Sequence, residues 1–278
     1  MLFDTHLHVV DREKLRYPWL ADAGALDRDS LYDDYAREAK RCGISDVLHM
    51  EVDVDAAEME AETAYIESLS GQPNSLIRGA IAACRPEEPG FPAYLERVLS
   101  NPFVKGFRRV LHVVPDGLSD SALFRENLNR LTATRLTFDL CVLPHQLQRA
   151  TALVDLNPDV PFIVDHCGVP AVKDGMSDAW KAGIRDIAHR ANVTVKISGV
   201  VAYADPDSWS VETLRPFVEH AIASFGWDRV IWGSDWPVCT LGGGLPSWVA
   251  ATHALTSGCS DDERARLYRL NAKRLWDL

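Results

Sequence analysis

Eight short runs rich in β-branched and apolar residues recur along the 278 residues, each followed by a stretch with helical spacing. Such alternation builds parallel sheets, because a helix is the usual crossover from the end of one parallel strand to the start of the next. The runs are LFDTHLH (2 to 8), DVLHMEV (46 to 52), LIRGAIAA (76 to 83), VKGFRRVLH (104 to 112), TFDLCVL (137 to 143), PFIVDHC (161 to 167), VTVKISGV (193 to 200) and RVIWGSDW (229 to 236). Eight is the count at which parallel strands close into a barrel. SLYDDYAREAKRCG, DAAEMEAETAYIESL, DSALFRENLNRLTATR, HQLQRATALVDL, SDAWKAGIRDIAHRAN and ETLRPFVEHAIASFG space their apolar residues by three and four, as an outer helix ring requires. SDDE at 260 to 263 is a capping-box pattern, predicting a last helix that runs to Leu278.

No linker rich in Pro, Gly or Ser divides the chain, which predicts one domain over 1–278. A net charge of −11 argues against a nucleic-acid or anionic-membrane partner, since either needs a positive field. The partner expected is a small molecule, with a homo-oligomer left open. Six cysteines without a CxxC pair read as reduced and buried. No apolar stretch approaches the roughly 20 residues of a membrane span, and a first strand from residue 2 or 3 leaves no room for a signal peptide. The expectation is a cytoplasmic protein. VDREKLRYPWLADAGALDRDS (10 to 30) is long and irregular for a βα loop and predicts a functional loop over the mouth.

In such barrels the polar residues at strand carboxyl ends face the catalytic mouth. Here those ends carry His6 and His8, Glu51, Arg108 and His112, His145, His166, Lys196 and Ser198, and Asp235. Alternation puts His6 and His8 on one face, with Asp4 one step below. An HxH pair alone is equally compatible with satisfied core histidines. With His166 in VDHCG and Asp235 in GSDWP at two other strand ends, the set can form a mononuclear site for zinc or a similar divalent ion. Trp19 in the long loop and Trp236 beside Asp235 are candidates to wall the pocket or stack on a sugar ring.

FDTHLH, YPWL, VKGFRRVLH, PFIVDHCGVP, VKISGV and GSDWPV, taken in order, resemble the amidohydrolase superfamily in its branch of lactone hydrolases. The resemblance runs from residue 3 through the terminal NAKRLWDL. It implies a distorted TIM (β/α)8 barrel with His6, His8, His166 and Asp235 as the central constellation. One departure concerns the fourth strand, where binuclear members carry a bridging lysine or glutamate. Here that strand ends in Arg108, Arg109, Val110, Leu111 and His112, which argues against a binuclear centre. Metal requirement varies within the branch, so the four residues either hold a cation or act through hydrogen bonds alone.

Ester hydrolysis needs an activated water, a stabilised oxyanion and a protonated leaving alkoxide. Asp235 is the expected base, and the carbonyl is polarised by a metal on His6, His8 and His166 or by protonated members of that cluster. Glu51 is a further candidate metal ligand or a hydrogen-bond acceptor. Arg108 matches the arginine of the family's GxR pattern and shares a face with His112. Both are expected to meet substrate, as are His145 and Lys196, while Arg109 should face the helices. A mouth mixing Glu, His, Lys and Arg suits a hydroxyl-rich sugar-acid lactone. The alternatives are a dicarboxylate lactone, which calls for several arginines, a metal-dependent decarboxylation on the same framework, and a binding barrel without catalysis.

Overall fold

A computed structural model describes residues 1–278. The strands are Leu2–Leu7 (β1), Ile44–Met50 (β2), Ile77–Ala83 (β3), Val104–Val110 (β4), Thr137–Cys141 (β5), Phe162–Val164 (β6), Val193–Ile197 (β7) and Val230–Trp232 (β8). They pair in parallel in sequence order as one sheet. The seam between β8 and β1 is closed mainly by residues just beyond the strands. Leu7 bridges to Trp236, His8 N donates to Trp236 O at 2.8 Å, and Asp235 N donates to His6 O at 2.9 Å. The result is the expected TIM barrel, eight strands alternating with helices.

Helices Tyr32–Arg41 (α1), Met59–Ser70 (α2), Phe91–Leu99 (α3), Ala122–Asn129 (α4), Leu147–Asp155 (α5), Asp178–Ile187 (α6), Val211–Phe225 (α7) and Leu245–Leu255 (α8) surround the sheet. Two of them, α3 and α8, lie outside the six periodic segments. Each carries a proline in its first turn, where the missing N–H costs nothing. The capping box forms, with Ser260 Oγ accepting from Glu263 N and Glu263 Oε2 accepting from Ser260 N. The helix it opens passes through a π turn at Arg266–Leu270 and ends at Trp276, short of Leu278.

Phe3, Leu48, Met50, Ile81, Ile163 and Ile231 come from strands around the whole barrel and can meet only in its interior. Trp276 packs beneath them, and its indole N–H donates to Thr137 at the start of β5. The amino end is therefore plugged, and open space is left at the carboxyl end.

Two strands end earlier than the sequence suggests. β6 stops at Val164 and β8 at Trp232, because His166 (φ 51°), Cys167 (φ 53°) and Asp235 (φ 58°) adopt left-handed backbone that leaves the ladder. Such conformations are strained for residues with a side chain and gather at functional sites.

Asp4 also departs from simple alternation. A register shift in the β1–β2 pairing falls between Asp4 and Leu7, and Asp4 faces α1 instead of the barrel mouth. Tyr35 donates to its Oδ2 at 2.6 Å, while Oδ1 accepts from the backbone N–H groups of His6 (3.0 Å) and Ser234 (2.7 Å). The carboxylate thus ties β1 to the segment after β8. Tyr35→Phe is expected to strand Oδ2 without its donor and to lower unfolding stability by about 1–3 kcal/mol. Urea unfolding measures this, and an unchanged midpoint would show that the bond contributes nothing.

Candidate active site

His6 and His8 leave the end of β1 side by side, with Nε2 atoms 3.1 Å apart. Asp235 Oδ1 lies 3.7 Å from His6 Nε2 and 3.5 Å from His8 Nε2, and Asp235 Oδ2 lies 3.6 Å from His166 Nδ1. Gly199, after β7, makes this convergence sterically feasible. A Cβ there would sit 2.8 Å from both Asp235 Oδ2 and His166 Nδ1, and its φ of +67° disfavours any other residue. Ser198 Oγ, 2.9 Å from His166 Nδ1, holds that ring in place.

All four side chains are nearly sealed from bulk water, which disfavours their charged forms. Burial raises the Asp235 carboxyl to about 6, against the opposing pull of His166 and Arg108. Burial, reinforced by Arg108, pushes His8 down to about 3, and His6 and His166 are lowered by burial too. The imidazoles are therefore neutral at pH 7, contrary to the protonated cluster considered from sequence. Neutral rings are ligands and hydrogen-bond partners, not cationic electrophiles.

Beneath the histidines lies a buried ionic layer. Lys196 Nζ donates to Asp139 Oδ2 at 2.7 Å, is 2.8 Å from Asp165 Oδ1, and is 3.1 Å from His6 Nδ1. His6 Nδ1 has neighbours of opposite demand: Lys196 can donate to it, and Asp165 Oδ1 at 3.5 Å can accept from it. Donation by Lys196 leaves the His6 proton on Nε2. A proton shared with Asp165 frees Nε2 to act as a ligand. Arg108 is clamped beside this layer by Glu51, Nε to Oε1 and Nη2 to the backbone oxygen, both at 2.6 Å.

Above the constellation is a cavity of about 340 Å³. His8, Arg108, His112, His166, Asp235 and Trp19 line it. Val10, Leu20 and Leu26 from the long first loop also reach it, as expected of a loop over the mouth. Other proposed site residues are elsewhere. Glu51 gives one carboxylate oxygen to Arg108 and the other to Asp53 N, so neither is left for a metal. Lys196 is held under the floor by its two aspartates. Trp236 turns away to stack near Tyr35, with ring centroids 5.5 Å apart. His145 is exposed and pairs with Asp116 at 3.3 Å. Arg109 pairs with Glu87 at 2.8 Å, away from the cavity. Asp139, Asp165 and Tyr203 were not singled out from sequence. The usable signal was a lone aspartate inside each of two apolar strand runs, TFDLC and FIVDH, costly to bury without a cation.

The donor set fits a divalent ion. Tetrahedral zinc with bonds of about 2.0–2.1 Å spaces its ligand atoms about 3.3–3.4 Å apart. His6 Nε2, His8 Nε2 and Asp235 Oδ1 have separations of 3.1, 3.5 and 3.7 Å. His8 Nδ1 lies 3.0 Å from Met50 O, the partner that leaves Nε2 with its lone pair, and Asp235 Oδ2 accepts no hydrogen bond.

A TIM barrel with an HxH strand, a histidine after the sixth strand and an aspartate after the eighth defines an amidohydrolase-type site. The family model described as Amidohydrolase matches residues 3–278, and the chain belongs to that family. It is 27% identical to an L-fucono-1,5-lactonase of Burkholderia ambifaria, over 79% of this chain and 77% of that protein. It is 26% identical to a 4-sulfomuconolactone hydrolase of Rhizobium radiobacter, over 84% of this chain and 75% of that one. Among solved structures, an amidohydrolase from Burkholderia multivorans with bound zinc superposes with a TM-score of 0.87 at 25% identity, covering 100% of this chain and 99% of the other.

Proposed function

We propose that this protein hydrolyses a lactone, with Asp235 as the proton carrier. The observation that carries the proposal is the Asp235 carboxylate at the cavity floor, with one oxygen free of hydrogen bonds and three neutral imidazoles around it. Water adds through oxygen to the lactone carbonyl carbon while Asp235 takes its proton. The acyl–oxygen bond of the ring then breaks, and Asp235 returns the proton to the departing ring oxygen, giving the hydroxy acid. His166 lies against the same carboxylate and orients it. His6, His8 and Asp235 would hold one divalent ion, zinc in our reading, which supplies a Lewis acid for the carbonyl when bound. Arg108 and His112 line the cavity within reach of a substrate.

A sugar-acid lactone is supported by likeness to a protein named L-fucono-1,5-lactonase. A dicarboxylate lactone finds less support, because Arg108 is the one arginine on the cavity wall and Glu51 already occupies it. Acid release in weak buffer, followed with a pH indicator over a panel of sugar-acid, dicarboxylate and alkyl lactones, tests the reaction class. Turnover of at least one lactone is expected, with loss on dialysis against a chelator and return on adding zinc. Silence across the whole panel would refute lactone hydrolysis.

A further inference from the structure

The cavity separates into a polar floor and an apolar wall. Asp235, His166 and His8 form the floor, and Val10, Leu20, Leu26, Val52, Val113 and Val238 bring branched aliphatic carbons to the wall. Several polar groups among the wall residues are spent, while the Tyr203 hydroxyl and His112 Nε2 keep no protein partner. The Trp19 indole N–H donates to Val52 O at 2.8 Å, and the Val10 N–H and C=O are both paired with Ser30. Asp53 Oδ1 accepts from Arg85 at 3.0 Å. Arg108 commits Nε and Nη2 to Glu51, and His112 Nδ1 lies 3.1 Å from Cys141 Sγ.

A ring hydroxyl facing such a wall gives up its bonds to water and finds few replacements. An alkyl group in the same place gains by leaving water. At about 340 Å³ the cavity is near the small end of ligand sites, about 300–1,000 Å³, so a substrate filling it must touch the wall. We infer that the substrate is a lactone carrying an alkyl substituent on its ring, polar only around the ester, and not a polyhydroxylated ring. This inference rests on the proposed lactone hydrolysis and departs only from the sugar-acid substrate. Of the residues that suggested a hydroxyl-rich ligand from sequence, Glu51, Lys196 and His145 do not line the cavity, and Arg108 and His112 do.

The test compares kcat/KM of the purified protein for δ-octalactone and glucono-1,5-lactone, two six-membered lactones of opposite polarity, with spontaneous hydrolysis subtracted. The expected result is a preference of about tenfold or more for δ-octalactone, the scale at which an apolar pocket discriminates. Val113→Asn, at a wall position 62% exposed where a polar side chain is tolerated by the fold, should shrink that ratio about threefold or more. Equal or faster opening of glucono-1,5-lactone overturns the substrate class and leaves lactone hydrolysis standing. A ratio unchanged in Val113→Asn overturns the assignment of selectivity to this wall. If neither lactone is opened, and the wider panel is silent as well, the proposed reaction and this inference fall together.

Discussion

Asp235→Asn lowers kcat/KM for lactone opening by about 10²–10⁴-fold, the usual contribution of a positioned proton carrier. The amide keeps the shape of the carboxylate and cannot take a proton from water. The active form is the carboxylate, so activity should fall on the acid side as Asp235 takes up its proton and level off above it, with a bound cation moving that fall below the value of about 6 that burial sets. Stability runs the other way. A carboxyl whose folded pKa is raised from 3.8 to about 6 binds its proton more tightly in the folded state. Its ionisation therefore costs stability as pH rises from about 3.8 to 6, and the full cost is present at pH 8. Asparagine never ionises, so the variant should unfold at an equal or higher denaturant concentration at pH 8 while being nearly inactive. A rate close to wild type would remove Asp235 from the mechanism.

The second large effect belongs to a residue under the cavity floor. Lys196→Met leaves Asp139 and Asp165 facing each other without the cation between them. Breaking a buried pair by removing one partner costs about 3–5 kcal/mol. At about 2–4 °C per kcal/mol for chains of somewhat smaller size, the melting temperature should fall by roughly 10 °C. Adding Asp139→Asn removes one stranded charge and should restore part of the loss, which a mere packing defect at position 196 would not allow. Unfolding of Lys196→Met at the wild-type midpoint would show that the ionic layer does not support the floor.

Much of the barrel is legible in the sequence because its strands announce themselves by composition and its helices by spacing. Seven of the eight strands begin within one residue of the predicted start and differ mainly where they end. The ends are hard to read for a physical reason. At His166 and Asp235 the backbone turns left-handed, a choice set by what those side chains must approach. His6, His8, His166 and Asp235 were visible as a group because four such polar residues at three strand ends are unusual in a packed core. The partners were not visible. Lys196 and Glu51 look like mouth residues along the chain, yet each has a counter-charge from another strand, Asp139 and Asp165 for one and Arg108 for the other. Asp4 was misplaced because a single register shift in β1 reverses the face assigned by alternation.

The seam of the barrel has a consequence for when the protein becomes competent. His6 and His8 are made with the first strand and Asp235 just after the last, and backbone bonds from Asp235 to His6 and from His8 to Trp236 are what join them. A nascent chain still missing its eighth strand has the histidines but neither the carboxylate nor the bonds that align it. A reaction that depends on Asp235, as proposed, would thus be absent from every chain that lacks the eighth strand and would begin only when the ring is shut.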